Sequence, residues 1–239
     1  MIGRVLLAAL LAGIVAGFIM GAIQHVRITP FILQAEVYEN AATGHSVTTD
    51  TSGSVAKALP EQSHANEEWS PADGWERTIS TTVATMLTGA GFAVILAGVS
   101  LLTGIPVTPG NGALWGICAF LAATLAPAAG LSPELPGMPA GDLVTRQIWW
   151  AGTILATGTA LCLIATRKEF WAMALAVALI ALPHMINAPQ PVTHETTVPA
   201  GLAAAYASNV IAAAAVFWSM IGVFLGYALR KLSKDIYTT

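Results

Sequence analysis

Two histidines, His25 and His184, and four carboxylates, Glu36, Glu39, Glu134 and Asp142, have the types and positions to meet a divalent cation. Imidazole nitrogen, carboxylate and carbonyl oxygen, and water all suit a borderline first-row ion. His184 follows Pro183, which lacks a backbone N–H and should free the carbonyl of Leu179. An imidazole beside a broken helix turn would present nitrogen and oxygen together. The plainer alternative is a helix-end histidine bonded to a neighbouring loop; for His25 it is an interfacial cap. His45, His64 and His194 fall in expected loops and would be low-affinity contacts at most. Glu36 and Glu39 lie one turn apart.

Residues 132–150, SPELPGMPAGDLVTRQIWW, concentrate charge and indole in an otherwise apolar chain. Their prolines predict a stiff extended loop. Glu134 and Asp142 would put anionic oxygen at a cation mouth, or one of them would simply pair with Arg146. Arg146 could equally hold lipid phosphate. Trp149 and Trp150, with Trp69 and Trp75 elsewhere, suit anchors at the headgroup level. Hydroxyl and amide groups at Thr81, Thr85, Thr88, Thr153, Thr157, Ser208 and Asn209 would line a hydrated path, or bond back to their own helices.

These groups need positioning, and the composition says by what. The chain has 239 residues, 55% hydrophobic and 10% charged, with a mean hydropathy of +0.68. Soluble domains carry about 25% charged residues. Six runs without Asp, Glu, Lys or Arg are long enough or nearly so to cross about 30 Å of hydrocarbon: Val5–Gln24, Ile79–Leu102, Gly112–Ala129, Ile148–Ala165, Phe170–Ile186 and Gly201–Leu229. The predicted fold is all-α, a polytopic membrane bundle of six transmembrane helices forming one domain over 1–239. A five-span version would fuse the fourth and fifth runs across Thr166-Arg167-Lys168-Glu169. The first run is long for a signal peptide and has no clean cleavage site.

With six spans, Arg4, Arg167, Lys168, Arg230, Lys231 and Lys234 share a side with both termini. Positive residues mark the cytoplasm, so both termini are expected there and the chain in the inner membrane. The opposite face holds four bases and eleven acids, a net of −7. An anionic rim raises local cation concentration. Most of it lies in residues 27–76, an acidic extracytoplasmic loop. The loop opens with an expected interfacial helix from Pro30 and continues as a polar, partly mobile tract. The modest overall charge argues against nucleic acid.

Glycine recurs every four residues at Gly13, Gly17 and Gly21, and again at Gly222 and Gly226. Such stripes let helices approach closely, within the bundle or across a homo-oligomer interface. Cys118 and Cys162 sit in apolar runs and read as small buried residues. There is no GxxxxGK[ST] phosphate loop and no carboxylate within a span to relay protons. No enzyme activity and no bound cofactor are expected.

Five stretches in order, ITPFILQAEVYE, EWSPADGWERT, SPELPGMPAGDLVTRQIWW, LPHMINAPQP and VPAGLAAAYASN, resemble the cobalt transporter subunit family CbtA from end to end. The resemblance implies import of Co²⁺ for cobalamin biosynthesis and a small one-span partner, CbtB, with a His-rich tail. It also implies five spans as often described, against the six favoured by charge. Two features depart from the family pattern. The first outer loop has only His45 and His64 where many members carry a His/Asp-rich tract, and LPH is followed by Met-Ile-Asn in place of an expected glycine. Two other readings compete: a non-conducting structural subunit that stabilises a partner in the lipid, and a haem or quinone protein using His25 and His184 as axial ligands.

Overall fold

A computed structural model of the chain describes residues 2–45 and 74–234. Among them are seven helices and no strand: α1 (Ile2–Arg27), α2 (Thr29–His45), α3 (Trp75–Thr103), α4 (Gly112–Ala128), α5 (Leu143–Thr166), α6 (Phe170–Ile186) and α7 (Ala200–Lys234). Four of these, α1, α3, α5 and α7, are long and apolar enough to cross a membrane; α4 and α6 are shorter apolar helices of 17 residues. Trp69, His64 and most of the acidic loop lie outside the described residues.

Small residues set the packing. A Cβ on Gly17 would sit 2.5 Å from Met86 Cα, one on Gly21 2.9 Å from Thr82 Oγ1, and one on Gly13 would overlap the backbone of Gly89. These partners run in opposite order, so α1 and α3 are antiparallel and in backbone contact. Gly112 and Gly116 of α4 meet Gly222, Val223 and Ser219 of α7 in the same antiparallel way, and Gly226 abuts the carbonyl of Thr108. Both glycine stripes are therefore spent inside the bundle, the plainer of the two expectations. The core filling the rest includes Ala9, Ala12, Ala16, Ala93, Phe217, Trp218, Ile221 and Leu225. Outward, large apolar side chains stay exposed, such as Phe18, Leu87, Leu155 and Val177. That is the pattern of a lipid-facing surface, not a water-facing one.

α4 is not a uniform helix. From Leu121 to Leu125 it widens to π geometry, and the Ala126 N–H reaches back five residues to the Leu121 carbonyl. Pro127 follows directly, and its missing donor removes one bond from the α ladder. The bulge places the Thr124 hydroxyl 3.1 Å from Trp218 Nε1, which donates to it. Pro183 has a milder effect. α6 continues through it to Ile186, and Asn187, at φ 66°, ends the helix in the region that favours glycine. The broken turn expected at His184 is thus an unbroken helix with a displaced stop.

α5 and α6 form an antiparallel hairpin whose turn, Arg167–Glu169, leaves the helical path. Their far ends meet where Trp149 Nε1 donates to the Pro183 carbonyl at 3.0 Å. A fused fourth and fifth run has no counterpart in this geometry. Trp149 is 9% exposed and holds two helices together, so it does not serve as the headgroup anchor expected of it. Trp150 and Trp75 are exposed as anchors would be.

Candidate cation entrance

The C-terminal end of α1 starts the site. Ile28 N–H donates to the Gln24 carbonyl at 2.9 Å, and Thr29 Oγ1 donates to the same oxygen at 3.2 Å. The chain therefore turns without a loop into α2, with Pro30 in its first turn, where a missing N–H costs nothing. α2 packs onto the end of the bundle. Its Ala35 is fully buried against Leu135 and Val198. Those residues come from the segments before α5 and α7, which Thr196 Oγ1 ties together by donating to the Gly137 carbonyl at 3.1 Å. Gly137 has φ 78° and sits so close to Glu39 that a Cβ would lie 3.3 Å from that residue's own. Three connections thus pack at one end of the bundle.

Beneath α2 lies an open cavity of about 670 Å³, bounded by α1, α2, α3 and the first half of α7. Its polar lining is Gln24, His25, Thr29, Arg77, Thr78, Thr81 and Tyr206; the apolar part includes Met20, Ala213 and Phe217. His25 Nδ1 is 3.4 Å from Thr78 Oγ1, whose own proton goes to the Gly74 carbonyl at 3.0 Å. The Thr85 hydroxyl lies 2.9 Å from Gln24 Oε1 and 2.7 Å from the Thr81 carbonyl, and shares its proton between them. Glu36 accepts from Arg77 at 2.6 Å beside this cavity. The pair is about one-third exposed, where water screens it and its net worth is small.

The other expected donors go elsewhere. Glu134 accepts from Arg146 at 2.8 Å, beside a separate cavity of about 450 Å³ near Pro127 and Trp150. Asp142 caps α5 by accepting the Thr145 N–H at 2.9 Å. His184 packs against the edge of Trp149, ring centroids 5.8 Å apart, and lines neither cavity. Glu39 and His194 are exposed. Among the described residues no three His, Cys, Asp or Glu side chains gather to hold a metal ion. The lining brings together one imidazole, one amide and several hydroxyls, with the Arg77 guanidinium held by Glu36.

Of the expected path residues, Thr81 lines the cavity beneath α2 and Thr85 bonds to its Gln24. Thr88 is exposed and bonds back to the Ala84 carbonyl. Thr153 and Thr157 lie on the buried stripe of α5 that carries Trp149; Thr153 bonds to the Trp149 carbonyl, while Thr157 Oγ1 is buried without a partner in the described structure. Ser208 and Asn209 bond back to Ala204 and Ala205. Gln24 and Tyr206 were not expected. Their signal was in the sequence: Gln24 adjoins His25, and Tyr206 is the one aromatic in GLAAAYASN.

Asp142 has a carboxyl held below the usual carboxylate range, chiefly by the Thr145 N–H. A lowered folded value means the cap contributes stability above the unfolded value of about 3.9. That stability is lost as pH falls through the folded value. Asp142→Ala should lower the thermal midpoint in detergent at pH 7 and have a smaller effect at pH 3. Asp142→Asn should stay near wild type at pH 7, because asparagine caps as well, and should keep its cap at pH 3, because the amide does not titrate there. Equal loss for Asp142→Ala at both pH values would show that the charge contributes nothing.

The family model described as "Probable cobalt transporter subunit (CbtA)" matches residues 2–230. This chain belongs to the CbtA family. The match covers every described helix except the last residues of α7, so the cavity beneath α2 and its surrounding connections fall within it. A CbtA subunit implies a partner, and together with four long apolar helices it points to a membrane location. Comparison with curated proteins and with solved structures gives no match.

Proposed function

We propose that this CbtA chain is the membrane subunit through which Co²⁺ is imported for cobalamin biosynthesis. It crosses the inner membrane six times, with both termini cytoplasmic, and works with a small His-rich partner of the CbtB kind. The observation that carries the reading is the cavity beneath α2. It opens at the end of the bundle where the acidic connections meet, and it offers His25, Gln24 and the Thr78 and Thr81 hydroxyls. At the other end, Arg230 borders a cavity with Val5 and Pro109, in keeping with basic residues on the cytoplasmic side. Acid at the mouth concentrates cations. The mixed lining lets them bind loosely enough to leave.

Radiolabelled cobalt uptake in cells lacking other importers tests this. Cells expressing the chain with its partner should show saturable uptake. Uptake equal to that of empty-vector cells would overturn the proposal. The accessory reading draws on one observation: both outer carboxylates nearest a cavity, Glu36 and Glu134, are already paired with arginine. Saturable uptake by this chain alone would argue against that reading. The haem reading has less support, because His25 lines the cavity beneath α2 and His184 does not.

A further inference from the structure

Three of the helices that bound the outer cavity, with the α3–α4 connection, also border a second one. At the opposite end of α1, α3 and α7 lies a second open cavity of about 540 Å³, lined by Val5, Ala97, Ser100, Gly226 and Arg230 among others. The outer cavity reaches Met20 on α1 and Phe217 on α7. Between the two, α1 and α3 present small side chains: Ala12 and Ala16, and Ala93, all 0–4% exposed. α7 presents most of the large ones, joined by Met20 of α1 and by Phe92 and Leu96 of α3. Phe217, Ile221 and Leu225 recur every four residues on one stripe and are 7%, 0% and 0% exposed. At a rise of 1.5 Å per residue they close about 12 Å of the junction.

We propose that the cation path follows the α1–α3–α7 junction and that Phe217, Ile221 and Leu225 form the apolar plug dividing its outer and inner vestibules. The inference deepens the uptake reading and rests on it for the identity of the cation. The plug works by keeping the gap dry: an ion stripped of water finds no polar partner there, so the closed state does not conduct. Protonation is not needed, since none of the three helices carries a carboxylate between Val5 and Gln24, Ile79 and Leu102, or Gly201 and Leu229. Alanines face much of the plug, and Phe92 of α3 meets Phe217 with ring centroids 6.3 Å apart, so opening requires α7 to move past that ring contact. A cleft of about 280 Å³ between α3, α4 and α5 is a poorer route. Its lining of Leu114, Cys118, Leu161, Cys162 and similar groups is mostly apolar.

Purified full-length chain in calcein-loaded liposomes provides the test, because Co²⁺ entering the lumen quenches the dye. Ile221→Ala and Phe217→Ala should each raise cobalt entry at least fivefold over wild type, and Leu87→Ala, on the exposed face of α3, should not. Gel filtration and thermal scans establish that each variant is folded. A milder arm places Ile221→Cys in a background with Cys118→Ala and Cys162→Ala, so that position 221 bears the sole thiol. A charged, membrane-impermeant thiol reagent should modify it and change cobalt entry by at least fivefold. A leak in the alanine variants with silent wild type supports the plug even if the chain alone does not import cobalt. Wild-type flux with unchanged variants and an unreactive Ile221→Cys overturns the path and leaves the uptake reading standing. No flux in any form, with position 221 unreactive, overturns the path as well.

Discussion

Gly13→Leu is expected to destabilise the bundle strongly, with the loss falling on the seam between α1 and α3. A side chain at position 13 points straight into the Gly89 backbone carbonyl on α3. Backbone cannot rotate away as a flexible side chain can, so the two helices must separate. Overpacking costs about 1–3 kcal/mol where side chains can adjust, and this site should lie at about 3 kcal/mol or above. The control is Gly91→Leu, where an added Cβ meets nothing within 4 Å. Both substitutions gain about 1 kcal/mol of helix propensity, so their difference isolates the contact. Thermal unfolding in detergent measures it. A Gly13→Leu midpoint matching that of Gly91→Leu would show that α1 and α3 do not meet through their glycines.

The second large effect is on transport. The double variant Gln24→Leu, His25→Leu should lower initial cobalt uptake at least tenfold at sub-saturating cobalt, with the protein still inserted and folded. A tenfold loss corresponds to about 1.4 kcal/mol of lost interaction. That is the scale of one or two polar ligands traded for water. The loss should appear mainly as a raised KM, because these groups act on capture at the mouth. His184→Ala should change uptake less than twofold, since that ring rests on Trp149 and lines no cavity on the proposed path. The reverse pattern, with His184→Ala disabling uptake and the double variant normal, would move the entrance to the α5–α6 hairpin.

The contrast between His25 and His184 shows where reasoning from sequence reaches its limit. Both sit at the same end of apolar runs, and His184 looked stronger because Pro183 precedes it. Helix ends, however, do not say which neighbours they meet. α1 turns at once into α2, and that turn opens a cavity around His25 and Gln24. α6 pairs with α5, and Trp149 occupies the space beside Pro183. Trp149 and Trp150 are adjacent in sequence and equally good anchors by type. A step of about 100° around the helix sends one into the bundle and leaves the other out. Asp142 shows a similar split: as a carboxylate it suits a cation, but its position ahead of a helix makes it a cap.

The sequence by itself determined the apolar helices, their approximate limits, the glycine stripes and the segregation of acids from bases. All of these follow from local hydropathy, from the 3.6-residue period and from where charge can sit near lipid. Only the tertiary structure decided which donors share a cavity, that both glycine stripes close internal seams, that α2 is covered by two other connections, and that α4 carries a π bulge. Those outcomes depend on contacts between residues far apart in the chain. A helix face has no partner until the whole bundle packs, and the hydrophobicity that drives each helix into lipid carries no information about which neighbour it will find there.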